Sequence, residues 1–290
     1  MFELKLNQNL IDFVIFGGYG RCYEQTVYSK LKYHEEIVMP IPLFNYDENQ
    51  TSVVTPTEDP EYQGCSKCLF PFVSETDLEP LLAKYHAHKV YEFETITKVT
   101  PIWEITVAGQ NMTVAQAPLG APAAVQILDY LIAHGAKQIV SMGSCGVLTE
   151  HAENGFLIPT VALRDEGTSY HYLPAAETIQ LNVKMQLQIR TALNSAGYET
   201  AAVKTWTTDG FFRETTGLIE KYRAQGYETV EMECAAIAAC AAFRNVDLGQ
   251  FFFTADSLAD TASYDKRNWG MGARSTAVQL GVAILRELPA

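Results

Sequence analysis

Val230-Glu231-Met232-Glu233-Cys234-Ala235-Ala236 reads as the point where a strand turns into a helix. Val230 to Met232 has the character of a strand end. Glu233 to Phe243 (ECAAIAACAAF) is almost wholly small and apolar, the composition of a helix buried on all sides. Two carboxylates one residue apart therefore stand at a strand–helix junction. Aligned peptide dipoles favour acids at a helix N-terminus. The carboxyl ends of strands in an open α/β sheet are also where ligands bind. The pair thus reads either as a helix cap or as a ligand contact.

Working outward, the same strand–helix alternation recurs. Gln250 to Asp256 is an apolar strand, and a final helix is expected from about Thr276 to Leu288. Upstream, Ala201 to Trp206 reads as a strand and Thr215 to Gln225 as a helix closed by Gly226. Thr178 to Ala196 reads as one long helix closed by Gly197, and Phe156 to Leu163 as a strand. Gln138 to Met142 is a short apolar strand running into the turn Gly143-Ser144-Cys145-Gly146. Ala123 to His134 is an amphipathic helix ended by Gly135, a residue type suited to a helix C-terminus. Trp103–Val107 and Met112–Ala115 flank Gly109-Gln110-Asn111 as a hairpin. Strands alternating with helices of this length predict a three-layer α/β/α domain with a central mixed, largely parallel sheet. No linker is evident, so residues 1–290 are expected to form one domain. Residues 1–100 are its least readable part, with a strand at Asp12–Phe16 entering Gly17-Gly18-Tyr19-Gly20 and loop or edge structure over 45–63.

Lysines and arginines number 21 against 34 acids, a net charge of −13. That balance argues against nucleic acid or an anionic membrane as the main partner. It leaves room for a small anion in a local pocket. No run of 18 apolar residues occurs, and MFELKLNQNLIDF lacks the pattern of a secretory leader, so a cytoplasmic protein is expected. Three of the six cysteines lie in small apolar runs, as buried free thiols do. Cys65 and Cys68 have zinc-ligand spacing, but two further ligands are not evident and no metal is expected.

Three further segments carry candidate chemistry. Gly143-Ser144-Cys145-Gly146, read as a glycine-rich turn, would present backbone N–H groups and a hydroxyl to an anion; it reads equally as a plain tight turn. Thr207-Thr208-Asp209-Gly210-Phe211-Phe212-Arg213 holds two adjacent aromatics, either a shelf for a flat ring or two core side chains. Phe251-Phe252-Phe253-Thr254-Ala255-Asp256-Ser257 ends an apolar strand in an aspartate, either a general acid or a helix cap. Together they would bring an anion cradle, an aromatic shelf, a glutamate pair and an aspartate to one sheet edge. That set suits cleavage of an N-glycosidic bond, whose transition state is oxocarbenium-like at the sugar. Glu233 would hold ribose hydroxyls, Met232 would pack on the sugar, and Asp256 would protonate the departing base. An anion at Ser144 would attack C1′.

The residues resemble those of the nucleoside phosphorylases of the uridine phosphorylase and hexameric purine nucleoside phosphorylase type. Gly120-Ala121-Pro122, the run from Gly135 to Gly146, Arg164 to His171 and above all Val230-Glu231-Met232-Glu233 are similar to family motifs. The resemblance implies phosphorolysis of a purine or uridine ribonucleoside to base and ribose 1-phosphate. It implies Glu231, Met232 and Glu233 at the ribose, Phe211 and Phe212 at the base, Ser144 at phosphate and Asp256 as acid. It implies inorganic phosphate as co-substrate with no other cofactor, and a homo-oligomer, a dimer or hexamer. Three positions depart from the pattern. Ser141 replaces an expected arginine, the Gln-x-Arg pair after Phe212 is missing, and the N-terminal Gly-Asp-Pro motif is absent, with Gly18 and Arg21 as the substitute. Arg164, Arg213, Arg267 and Arg274 are the candidates for the missing cation. The alternatives are a nucleosidase that uses water, and a non-catalytic nucleoside-binding protein on the same scaffold.

Overall fold

The structure is a computed structural model that describes residues 41–57 and 62–289. The expected strand at Asp12–Phe16 and the candidates Gly18 and Arg21 lie outside the described residues. In chain order the elements are β1 (Lys67–Pro71), α1 (Glu75–Lys84), β2 (His88–Glu94), β3 (Val99–Val107), β4 (Gln110–Ala115), α2 (Ala121–Ala133), β5 (Gln138–Val147), β6 (Phe156–Asp165), β7 (Thr178–Gln180), α3 (Val183–Ser195), β8 (Thr200–Thr208), α4 (Thr216–Ala224), β9 (Tyr227–Glu231), α5 (Cys234–Phe243), β10 (Asp247–Ser257) and α6 (Arg274–Glu287).

The strands form one mixed sheet in the order β10-β6-β8-β9-β5-β1-β4-β3-β2, with β7 beside β6. β10 also pairs with β5, so β5, β9, β8, β6 and β10 close into a ring. β1, β5 and β10 run parallel, in registers that set Phe70 and Gln250 on either side of Ser141. Their carboxyl ends open at one edge. Leu81 of α1, Met185 and Ile189 of α3 and Val278 and Leu285 of α6 share one apolar cluster. Leu128 and Leu131 of α2 and Ile237 and Cys240 of α5 share another. Two helical layers therefore enclose the sheet, as the three-layer reading expects. α5 has no polar face, and Cys234 to Ala241 are all buried, which is why it can be built from small residues alone.

Two expectations are corrected. Thr178 to Ala196 is not one helix. Thr178–Gln180 is a short strand paired antiparallel to β6, and Asn182 then caps α3 by accepting the Met185 N–H at 3.1 Å. The cap resets the chain, because its backbone is extended where a continuing helix would need helical torsions. Gly143 to Gly146 is not a turn either. The ladder to β10 runs on through Phe252 beside Gly143 and Thr254 beside Cys145, and neither glycine has a positive φ. A Cβ on Gly143 would lie 3.0 Å from the Cβ of Phe72, so the glycine serves close packing between strands. The hairpin forms as expected, but its turn is Ala108-Gly109, where φ is positive at both residues, and Gln110 and Asn111 already belong to β4.

Candidate active site

At the carboxyl edge of β1, β5 and β10 lies a cavity of about 600 Å³, walled by Ser144, Phe211, Phe212, Glu214, Met232, Glu233, Asp256 and Arg274 among others. Its floor is set by the acidic pair. Glu231 is buried and both its oxygens are engaged. Oε1 accepts the Thr207 and Thr205 hydroxyls at 2.6 and 3.2 Å, and Oε2 accepts the backbone N–H groups of Glu233 and Cys234 at 2.8 and 2.6 Å. Those two amides open the first turn of α5, so Glu231 satisfies orphan helix donors. Even so, full burial pushes its pKa up to about 7.

Glu233 lines the same cavity but takes a different partner. Its Oε1 accepts the Gly120 N–H at 2.6 Å. Gly120 has a φ of +95°, a torsion that glycine adopts freely, and the residues before it, 116–119, line the cavity. Burial, together with the charge of Glu231, pushes the Glu233 carboxyl up to about 8. A carboxylate held back from ionising by desolvation gains most from a ligand that donates hydrogen bonds to it. Met232 lies half-buried between the two acids on the same wall.

Asp256 stands inside β10, which continues to Ser257. Its Oδ2 accepts the Tyr264 hydroxyl at 3.0 Å. Burial raises the Asp256 pKa, while Tyr264 and the nearby Arg267 oppose the rise. Gly146 makes room for this carboxyl. A Cβ there would lie 2.9 Å from Leu258 Cδ1, 3.1 Å from Val230 Cγ1 and 3.3 Å from Asp256 Oδ1. Gly146→Ala is therefore expected to cost about 1–3 kcal/mol in stability, as overpacking typically does. Thermal unfolding checks it.

Phe211 and Phe212 sit on one 3-10 turn, in edge-to-face contact at 5.0 Å. They are not core residues, being 42% and 92% exposed, and both line the cavity. Ser144 is exposed on the wall, and Ser141 is buried beneath it. Of the four arginines weighed, only Arg274 lines the cavity. It bonds to Asp77 Oδ2 at 3.4 Å and to the Trp269 carbonyl at 3.1 Å. Arg164 is spent on Ser169, Leu173 and Pro174 and on the ring of Tyr170. Arg267 is spent on the carbonyls of His151 and Ala255. Arg213 and His171 are exposed and outside the wall. Asp209 accepts the Gly167 N–H, a loop-tying role. Cys65 donates to Glu104 Oε2 at 3.1 Å, and Cys68 is buried. Among the described residues no group of three or more metal-ligating side chains forms, and no helix is long and apolar enough to cross a membrane.

The structure thus gathers Ser144, Phe211, Phe212, Glu231, Met232, Glu233 and Asp256 about one cavity. Sequence reasoning missed Glu214 and Lys98 on the wall and Tyr264 behind Asp256, and with them the segment Phe72 to Ser74 that follows β1 into the wall. That last segment carried a signal. Ser74-x-x-Asp77 is a capping-box pattern, and both halves of the box form at the start of α1.

A family model described as the phosphorylase superfamily matches residues 72–286. The uridine phosphorylase of Haemophilus influenzae is 24% identical over 161 residues, which is 50% of this chain and 64% of that protein's length. A DeoD-type purine nucleoside phosphorylase from Alkaliphilus metalliredigens is 25% identical over 225 residues, covering 72% of this chain and 94% of the relative. The crystal structure of a purine nucleoside phosphorylase from Toxoplasma gondii in complex with immucillin-H superposes with a TM-score of 0.65 at 15% identity, covering 78% and 91% of the two chains. The chain belongs to the phosphorylase superfamily, within its nucleoside phosphorylase family.

Proposed function

We propose that this cavity cleaves the N-glycosidic bond of a ribonucleoside by phosphorolysis, releasing the base and ribose 1-phosphate. One observation carries the reading. Glu233 and Asp256, two buried carboxyls with raised pKa values, line the same cavity as an exposed aromatic pair and an exposed serine. In this reading Glu233 accepts hydrogen bonds from the ribose 2′ and 3′ hydroxyls, Glu231 holds the first turn of α5 behind it, and Met232 packs against the sugar. Phe211 and Phe212 flank the base, and Asp256 protonates it as it leaves. Ser144 donates to phosphate, and Arg274 and Lys98, both on the wall, supply the charge that Ser141 cannot.

A second reading, hydrolysis by water, has its own observation. Arg274 is bonded to Asp77, and Lys98 is ion-paired with Glu75 at 3.6 Å, so both cations already have acidic partners. Base release from inosine, guanosine, adenosine, uridine and thymidine, measured with and without phosphate, separates the two. Phosphorolysis predicts no release without phosphate. It further predicts that Arg274→Ala raises KM for phosphate about tenfold or more, one charge-assisted bond's worth, with nucleoside KM little changed. Release at full rate in phosphate-free buffer would establish hydrolysis instead. The proposal includes a cytoplasmic homo-oligomer, a dimer or hexamer, whose mass in solution light scattering would read.

A further inference from the structure

Glu214 follows the aromatic turn Phe211–Arg213 directly and precedes α4, so it lines the cavity on the same wall as Phe211 and Phe212. It is half-buried, and among the described residues its carboxyl has no hydrogen-bond partner and no cation. The cavity's other carboxyls are all held. Glu231 accepts from two hydroxyls and two amides, Glu233 from Gly120, and Asp256 from Tyr264. A partly desolvated carboxyl on a cavity wall with no protein partner is placed to bond a ligand instead, which makes it a candidate for work there.

We infer that Glu214 is a second general acid of this cavity, sharing with Asp256 the delivery of the proton that the departing base takes up. The inference rests on the glycosidic-cleavage reading. The division of labour follows from the contacts. The Tyr264 hydroxyl donates to Asp256, which offsets part of the rise that burial gives its pKa. Glu214 has no such donor, and burial with the charge of Asp256 pushes it up to about 7, near the range where an acid works best at neutral pH. In the step, the Glu214 O–H bond breaks and an N–H bond forms at a ring nitrogen of the base. The C1′–N bond breaks with its electron pair passing to the base, and the incoming oxygen nucleophile bonds to C1′. Water then returns a proton to the carboxylate.

The test compares inosine, whose base needs a proton to leave, with 7-methylguanosine, whose cationic base leaves without one. Glu214→Gln is expected to lower kcat on inosine by about 10²-fold while 7-methylguanosine turnover stays within about threefold of wild type. Glu214→Asp keeps a carboxyl and is expected to retain more inosine turnover than Glu214→Gln at equal thermal stability. Unchanged inosine turnover in Glu214→Gln would overturn the inference, and so would an equal loss on both nucleosides. Those outcomes leave glycosidic cleavage itself intact, whereas wild-type protein inactive on both nucleosides would overturn that reading and the inference with it.

Discussion

Asp256→Asn is expected to lower kcat on purine nucleosides by about 10²–10⁴, the usual worth of general acid–base assistance, while KM changes little. The asparagine keeps the shape of the side chain. Its Oδ1 can still accept the Tyr264 hydroxyl, so the loop that carries Tyr264 keeps its tie to β10. What is lost is the capacity to hand a proton to the base, an interaction made only in the transition state, and such losses appear in kcat. Because 7-methylguanosine needs no proton, its turnover should suffer far less than that of inosine. An inosine kcat within a few-fold of wild type would remove Asp256 from the chemistry.

Glu233→Gln is expected to do two opposite things. It should lower kcat/KM on ribonucleosides by about 10²–10³, because hydrogen bonds from two ribose hydroxyls to a carboxylate are charge-assisted and the amide can accept only one of them well. It should also make the empty protein more stable in alkaline solution. The folded-state pKa of Glu233 is about 8, above the 4.5 or so of a glutamate in an unfolded chain. Between those values the unfolded chain has given up a proton that the folded chain still binds. Stability therefore falls as pH climbs through that window and levels off above it. Glutamine cannot ionise, and it retains an oxygen for the Gly120 N–H. The gain should be absent below about pH 4.5 and reach at most on the order of 5 kcal/mol above pH 8. Thermal melts of both proteins from pH 5 to pH 9 measure it. Equal differences at every pH would show that Glu233 ionises as freely in the fold as out of it.

The contrast between readable and unreadable parts follows from how local each signal is. The junction at Val230 to Glu233 was legible because its determinants lie within a dozen residues: a strand end, two acids and a helix of small residues with no polar face. The layered fold followed from the same periodicity. Gly143 and Gly146 misled because glycine serves tight turns and close strand packing alike. Only the neighbours Phe72, Leu258 and Asp256 distinguish the uses, and none adjoins them in sequence. The four candidate arginines could not be ranked for a similar reason. Arg274 meets Asp77 from 197 residues away, and Arg267 meets His151 from 116 away. Glu214 gave no sequence signal, since its distinction is that no partner for it stands among the described residues. Glu231 and Glu233 looked equivalent in the sequence. The structure separates them by their partners: Glu231 takes two hydroxyls and the two amides that open α5, and Glu233 takes the Gly120 N–H.

The central claim is that this cavity transfers a ribosyl group from a base to phosphate. Phosphorus NMR of the wild-type protein with inosine and inorganic phosphate tests it most directly. The account predicts a new phosphate-ester signal, that of ribose 1-phosphate, growing at the rate at which hypoxanthine is released, and absent with Asp256→Asn on the same timescale. Hypoxanthine released with no new phosphorus signal, or no release from any ribonucleoside offered, would contradict it.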